Sequence, residues 1–152
     1  MKIWTCSVFW AVIFAASIIT PAFADNEAGK IKTLKGEVSI IRAGSSIHAT
    51  SGMMLIATDK ITTGPNSSVG ITMRDGTLLS LGANSVSQLN EYKYDPANHE
   101  GNMLVSVTGG TMRFVSGLIG KHNPSAVAIH TTTAIIGLRG TDFIVSVEGG
   151  SN

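Results

Sequence analysis

The sequence predicts an all-β domain that follows an N-terminal leader, and three observations support that prediction. Apolar residues recur at every second position in many short segments, which is the period of a strand with one buried face. The chain contains 17 glycines but only 4 prolines, a composition that suits short strands joined by tight turns. After residue 24 no window shows a sustained 3.6-residue apolar repeat, so we expect no long helices.

Residues 1–24 have the composition of a secretory signal peptide. Lys2 supplies a short positive region, residues 3–20 form an almost unbroken apolar run, and Pro21 breaks it. Ala22 and Ala24 place small side chains at the two positions that a signal peptidase reads, which predicts cleavage after Ala24 and export from the cytoplasm. The alternative is an uncleaved membrane anchor, because the run approaches the roughly 20 residues that span a bilayer.

Cleavage would leave residues 25–152 as one domain without cysteine, because the single cysteine of the chain is Cys6. Disulfides, thiolate nucleophiles and cysteine-based metal sites are then excluded for that domain. Without Lys2, ten Lys and Arg side chains balance ten Asp and Glu side chains. A balanced charge gives no basic field for nucleic acid, so we predict no nucleic-acid partner.

The clearest strand pattern lies in the middle of the chain. Val69, Ile71 and Met73 occupy one face of a predicted strand, and Gly70 and Thr72 occupy the other. Residues 25–30 are interpreted as a polar lead-in, and residues 133–138 as either a strand or one helical turn. Further strands or apolar patches are predicted at residues 36–42, 52–56, 59–64, 77–81, 85–93, 103–107, 111–116, 126–130 and 142–147.

Turn signals separate these segments at intervals of about eight to twelve residues, which is typical of a sandwich, a barrel or a short solenoid. Asp75 and Gly76 predict a β-hairpin with a type I′ turn, in which both central residues take positive φ. Gly109 and Gly110 predict a turn between two strands. Residues 43–46 and 121–124 are also predicted turns, and residues 95–101 a surface loop.

Six short motifs follow one another in a recognisable order. They are GEV at 36–38, DKITTG at 59–64, NSSV at 66–69, DGT at 75–77, GTMRF at 110–114, and a closing segment with IHT at 129–131 and GLRGTDFIV at 137–145. In this order they resemble the FecR domain family over residues 36–147.

The resemblance implies an all-β domain in the bacterial periplasm or on the cell surface, folded as a twisted, solenoid-like stack of short antiparallel strands. The best-known members of the family regulate iron uptake: they sense a transporter across the periplasm and control a sigma factor. Those members carry a cytoplasmic segment and a transmembrane helix before this domain, and further sequence after it. Here the apolar run begins at residue 3 and the chain stops soon after the closing motif. We therefore expect a stand-alone exported form, with a fragment of a longer protein as the alternative.

No motif indicates catalysis, metal binding or a cofactor. The four histidines (His48, His99, His122 and His130) include no pair at i, i+2 or i, i+4, so no local metal pair is predicted. His99 and His122 are expected to be solvated, and His130 to be a structural residue at a strand end. The serines lie in no Gly-x-Ser-x-Gly elbow, and we predict a protein that is not an enzyme.

Two arginines are the tentative partner-binding residues. Arg113, beside Phe114, suits either a structural ion pair or an arginine–aromatic contact with a partner. Arg139 lies in a glycine-flanked segment that lacks the lysine of a phosphate-binding loop, and we expect it to anchor a tight connection. Asp59 and Asp75 are each assigned to turn formation.

These observations favour a non-enzymatic exported module that binds an unknown protein or envelope polymer through an exposed strand edge or a loop face. It would contact the membrane only if the N-terminal segment is not cleaved. The alternative is a periplasmic signalling domain related to regulators of sigma factors and iron uptake. An extracellular hydrolase or carbohydrate-binding module is disfavoured, because residues 25–152 contain no tryptophan to stack on a sugar.

Overall fold

Strands make up most of the computed structural model, which describes residues 27–137 and 142–148. The all-β prediction is confirmed, whereas the predicted signal peptide and the cleavage after Ala24 lie outside the described residues. The elements are β1 (Glu27–Lys35), β2 (Val38–Arg42), β3 (Ser45–His48), β4 (Met54–Ile56), β5 (Lys60–Thr63), β6 (Ser68–Met73), β7 (Leu78–Leu81), β8 (Val86–Tyr94), β9 (Gly101–Val115), α1 (Leu118–His122), a 3-10 turn (Pro124–Ala126), β10 (Val127–Thr131), β11 (Ile135–Gly137) and β12 (Asp142–Val147).

A single curled sheet contains these strands, and β9 divides it into two halves. The first half-sheet has the order β3-β2-β5-β8-β9-β10-β11, and the second has the order β4-β1-β6-β7-β9-β12. The early part of β9 pairs with β8 and β10, and its late part pairs with β7 and β12. The β9–β10 pair is parallel, and every other pair among the described strands is antiparallel. The prediction of antiparallel strands therefore holds for every pair of described strands except β9 and β10.

The predicted turn at Gly109 and Gly110 is wrong, because β9 runs through both glycines as one strand of 15 residues. Gly110 has a φ of +78°, and a Cβ added there would lie 2.5 Å from the Cα of Ser85. The Ser85 hydroxyl donates to the Thr111 carbonyl (3.2 Å) and accepts from the Thr111 backbone N–H (3.0 Å). Gly110 thus lets β9 pass closely over Ser85 where the strand moves from one half-sheet to the other.

The predicted hairpin at residues 75–76 is confirmed, but its turn type is wrong. β6 and β7 pair in antiparallel register on either side of it. Gly76 has a φ of +82°, whereas Asp75 is not among the positive-φ residues, and Gly76 N–H donates to the Met73 carbonyl (3.0 Å). This is a type I turn closed by a left-handed glycine. The type I′ arrangement instead occurs between β2 and β3, where Ala43 (φ +48°) and Gly44 (φ +81°) form a two-residue loop.

Two further segments differ from their predictions. Residues 27–30 are the start of β1 rather than a polar lead-in, because Ala28 and Gly29 are buried between β6 and β4. The predicted turn at 121–124 is the end of the five-residue helix α1 and the start of the 3-10 turn. Within 133–138, Ile135–Gly137 form the short strand β11. Neither helical segment is long, as expected.

The core follows from the period-two pattern. In β6 the odd-numbered residues are buried and Gly70 and Thr72 are only partly so, as predicted. In β8 the buried positions change phase between Leu89 and Tyr92, because the register against β9 shifts between Leu89 and Glu91. The buried apolar side chains of both half-sheets form one cluster. The largest of its fully buried side chains are those of Phe114, Ile31, Ile40, Leu55, Ile71, Met103, Met112, Ile119 and Ile129.

Candidate functional site

The last two strands form an open border of the sheet, which we call the C-terminal edge (β11 and β12). Within the described residues, β11 pairs only with β10, and β12 pairs only with β9. Ile135 on β11 is 73% exposed and Ile144 on β12 is 67% exposed, more than any other large apolar side chain in the described ranges. Each strand therefore has one row of backbone N–H and C=O groups without a strand partner, next to an exposed apolar side chain.

A groove of about 530 Å³ lies between the two strands of this edge. Its lining includes Ile136 and Gly137 from β11 and residues 142–146 from β12. Ile136 and Phe143 are half-buried and pack against the core, and the Phe143 ring stacks on Phe114 at a centroid distance of 5.3 Å. A smaller cavity of about 430 Å³ adjoins residues 131–134 and the end of β12. The groove therefore has an apolar floor and two strand borders.

Arg113 lies on β9 directly opposite Ile144 of the C-terminal edge. Its Nε and Nη2 atoms donate to the two carboxylate oxygens of Asp142 at 3.0 and 2.6 Å. Both side chains are about half exposed. The hydrogen bonds to Asp142 raise the pKa of Arg113, and the same bonds from Arg113 lower the pKa of Asp142. Of the two interpretations of Arg113, the structural ion pair is therefore present, in a position that a partner at the edge could also contact.

Arg139 falls outside the described residues, so its predicted role stays a prediction. The segment that contains it connects β11 to β12 and thus joins the two strands of the C-terminal edge. The structure therefore brings Arg113, but not Arg139, into a described site.

A second concave surface, which we call the loop cleft, lies about the predicted loop at 95–101 and has a volume of about 820 Å³. His99 and His122 are both exposed there, as expected for solvated residues, and they lie in the same cleft. His99 Nδ1 lies 3.2 Å from the Tyr94 hydroxyl, and the two rings are nearly parallel at 12°. The sequence analysis did not predict the contact between Tyr94 and His99, because nothing in their spacing along the chain indicates that the two side chains touch. The cleft is lined by Lys93, Tyr94, Asp95, Asn98, His99, Glu100, Gly101, Asn102, Ile119, His122 and Asn123.

The remaining two histidines contribute to neither surface. His48 is exposed at the end of β3, and His130 is half-buried within β10 rather than at its end. Among the residues that the structure describes, no group of three His, Cys, Asp or Glu side chains is arranged to hold a metal ion. No helix in the same ranges is long and apolar enough to cross a membrane.

A comparison with models of known protein families identifies the family of this chain. The model of the family described as FecR protein matches residues 59–152, which is more than half of the chain. The chain belongs to the FecR family. The match includes five of the six motifs quoted above and leaves out GEV at 36–38. No curated protein and no solved structure matches this sequence.

Two aspartates of the FecR motifs do more than form turns. Asp59, fully buried, accepts from Arg42 Nε (2.8 Å) and Nη2 (2.7 Å) and from the backbone N–H of Ile56 (2.9 Å). Arg42 also donates to the Met54 carbonyl at 3.0 Å. The side chain of Asp59 thus fixes the turn before β5 and joins it to the end of β2, a long-range role that a local reading of the sequence does not reveal.

Asp75 closes the β6–β7 turn and connects it to two other parts of the chain, β8 and α1. It is 1% exposed, and its carboxylate accepts from the Thr77 N–H (3.2 Å) and hydroxyl (2.7 Å). It also accepts from the Tyr92 hydroxyl (3.3 Å) and the Ile119 N–H (3.3 Å). Burial and the charge of Asp75 raise the pKa of Tyr92 well above its usual value. In this FecR domain the DGT motif therefore joins β8 and α1 to the second half-sheet.

FecR is a family of regulatory and signalling proteins, so membership suggests a regulatory or signalling domain. The two buried aspartates of the motifs, Asp59 and Asp75, stabilise the fold through hydrogen bonds. Among the described residues, the C-terminal edge has the two most exposed large apolar side chains, and the loop cleft is a second concave surface open to a partner.

Proposed function

We propose that this FecR-family chain is an exported, non-enzymatic module that binds a protein partner through its C-terminal edge. The proposal is supported chiefly by one observation: within the described residues β11 and β12 each have one backbone edge without a strand partner, and with the exposed Ile135 and Ile144 they border a groove that has an apolar floor. An extended segment of a partner can complete such an edge with main-chain hydrogen bonds, and its side chains can fill the groove.

The composition of the edge also favours a binding role. Natural proteins protect free strand edges with lysine, proline or bulges. β11 has the sequence IIG and β12 the sequence DFIVSV, so neither strand contains lysine or proline. The one charge on the two strands, Asp142, is already neutralised by Arg113. An incoming strand would therefore meet apolar and hydroxyl side chains rather than an unpaired charge.

A protein partner suits the edge better than a small molecule does. The groove is open and bordered by backbone groups, whereas sites for small ligands bury most of the ligand surface. Arg113, beside Ile144, would lie at the rim, where an arginine commonly contributes to protein interfaces.

The binding role can be tested by replacing the exposed isoleucines of the edge. Ile135→Lys and Ile144→Lys each place a charge on a strand of the C-terminal edge. Both side chains are solvated, so the fold should be retained. Ile47→Lys on the edge strand β3 is the matched control, because that side chain is 37% exposed and lies at the opposite end of the first half-sheet.

The full-length wild-type chain should capture a partner from envelope extract, and each edge variant should capture it at least about tenfold less well, while Ile47→Lys captures it normally. No partner above background, or equal capture by all variants, would contradict the proposal.

Export can be tested separately through the intact mass and N-terminus of the protein from fractionated cells. The signal-peptide pattern of residues 1–24 leads us to expect a soluble species that begins at Asp25. A membrane-bound species that retains Met1 would mean an anchored protein instead.

A periplasmic signalling role is the second candidate, and family membership specifically favours it. In that case the partner at the edge would be part of a membrane receptor or regulator, and deletion of the chain would change transcription of an uptake operon. An unchanged transcriptome under iron limitation would rule this role out.

A further inference from the structure

We propose that the loop cleft is a binding site for a neutral saccharide. The cleft is separate from the C-terminal edge, so this inference does not depend on the proposed protein partner. It rests on an aromatic surface, a set of polar groups that suits hydroxyls, and a backbone conformation that holds one ring in place.

The aromatic surface is made by Tyr94 and His99. Their rings are nearly parallel, with centroids 6.5 Å apart, and the hydroxyl of one contacts the Nδ1 atom of the other at 3.2 Å. Tyr94 is half-buried and packs against the core, so it is a fixed support, and His99 extends the surface into the cleft. Flat aromatic surfaces pack against the apolar C–H faces of sugar rings, a role that tyrosine can take where tryptophan is absent.

The backbone of the loop holds His99 in an uncommon conformation. Its φ is +60°, in the left-handed region that a residue with a side chain rarely adopts. The surrounding loop stabilises this conformation: Glu100 N–H donates to Asn98 Oδ1 (2.9 Å), and Asp95 N–H donates to the Glu100 carbonyl (2.8 Å). Strained residues of this kind concentrate at ligand sites, where the strain positions a functional side chain in advance.

The polar lining suits hydroxyl groups. Asn98 Nδ2 donates to Glu100 Oε2 (3.1 Å), and Asp95 Oδ1 accepts from the Ala97 N–H (2.9 Å). These bonds use one oxygen of each carboxylate, so the second oxygen of each can accept from a ligand. Asn102 adds an amide group that both donates and accepts, and Asn123 adds an amide donor, because its Oδ1 atom already accepts from the Ser125 N–H and hydroxyl. Sugar hydroxyls also donate and accept, so they match this set.

Charge and polarity disfavour the other ligand classes. The lining contains two carboxylates, Asp95 and Glu100, and one lysine, Lys93. Lys93 already lies 3.7 Å from Glu91, so the lining offers no excess of positive charge for a phosphate or an acidic polymer. An apolar ligand would leave these carboxylates and amides desolvated without partners. Within the described ranges no three His, Cys, Asp or Glu side chains are grouped so that they could hold a metal ion. The volume, about 820 Å³, falls within the range of natural ligand pockets and has room for more than one sugar ring.

The proposal is tested by saturation-transfer NMR on the purified full-length chain with three neutral tetrasaccharides: chitotetraose, maltotetraose and cellotetraose. We expect transfer to the ring protons of at least one of them. His99→Gly should weaken that binding by about tenfold or more, because glycine keeps the positive φ and removes only the imidazole. Tyr94→Phe should weaken it less, since the ring stays and only the contact with His99 is lost.

His48→Ala is the matched control, because that histidine is exposed and lies outside the cleft. It should leave saccharide binding unchanged, as should Ile144→Lys at the C-terminal edge. The proposal is overturned if none of the three saccharides shows saturation transfer, or if His99→Gly binds as tightly as wild type. Because Ile144→Lys affects only partner capture, failure of this proposal can be told apart from failure of the proposed protein-binding role.

Discussion

Asp59 and Asp142 have the same partner chemistry and opposite surroundings. Each carboxylate accepts two hydrogen bonds from the Nε and Nη2 atoms of one arginine, Arg42 or Arg113. The Asp59 side chain is fully buried, whereas that of Asp142 is 44% exposed. Asp59 also accepts from a backbone N–H, and Arg42 also donates to a backbone carbonyl.

The difference separates a buried pair that joins parts of the fold from an exposed pair on the C-terminal edge. A buried charge that loses its partner is left without water to replace it, so breaking such a pair costs several kcal/mol. Two exposed ions are already solvated, and their attraction is screened by salt. The geometry of an arginine–carboxylate pair therefore says little about its function until its burial is known.

The largest effect is expected at Asp75, the other buried motif aspartate. Asp75→Ala should lower the free energy of unfolding by about 3–5 kcal/mol, because it leaves the Thr77 and Ile119 backbone N–H groups without acceptors. Urea denaturation of the full-length chain measures this change. Asp75→Asn keeps the shape and one acceptor, so it should cost less. A similar cost for both variants would mean that packing, rather than hydrogen bonding, makes Asp75 important.

The next largest effect compares the two arginines directly. Arg42→Ala should lower the free energy of unfolding by about 3 kcal/mol, because Asp59 then remains buried with one backbone donor. Arg113→Ala is the matched variant and should change it by little more than the experimental error. Equal losses in urea denaturation would show that burial does not distinguish the pairs.

Salt should also distinguish the Arg42–Asp59 pair from the Arg113–Asp142 pair, with a smaller effect on the free energy of unfolding. Raising ionic strength from 0.01 M to 1 M shortens the Debye length from about 30 Å to about 3 Å. The small difference between wild type and Arg113→Ala should disappear, while the loss in Arg42→Ala should persist because Asp59 is shielded from solvent. Loss of both differences at high salt would contradict the assignment of Arg42 to a buried pair.

The smallest effect is the titration of Asp142. Arg113 lowers the pKa of this carboxyl below its ordinary value of 3.8, so the contribution of the pair to stability is present above that pH and is lost as pH falls through the lowered pKa. Carboxyl NMR titration should show the lowered pKa in wild type and a return towards 3.8 in Arg113→Ala. An identical pKa in both proteins would show that the ion pair does not persist in solution.

The strand content and the central hairpin could be predicted because both depend on local pattern. The alternation at residues 69–73 decides which side chains are buried, and the Asp75-Gly76 pair marks the reversal. The turn type could not be predicted, because Asp75 is held in place by Tyr92 and Ile119, which lie 17 and 44 residues away. These tertiary contacts override the local preference for a type I′ turn.

The same limit applies to the two candidate sites. Arg113 was identified from the sequence, but its partner Asp142 lies 29 residues further on and is brought near only by the pairing of β12 with β9. The Tyr94–His99 contact was missed because it depends on the left-handed backbone of His99. Histidine is enriched in that region, but few residues with a side chain adopt it, so the preference does not identify which histidine does. Gly109 and Gly110 look like a turn in isolation, and the close passage over Ser85 explains why a glycine stands at position 110 within a strand.

The shared strand β9 has a consequence for how the molecule opens. It is hydrogen-bonded to neighbours on both sides in each half-sheet, so neither half can separate while the other stays intact. Amide hydrogens of β9 should therefore exchange with deuterium only through global unfolding, whereas those of β3 and β11 should exchange by local fraying. A tension applied by a partner to β12 would be carried by β9 across both half-sheets, so the domain would resist force as one unit.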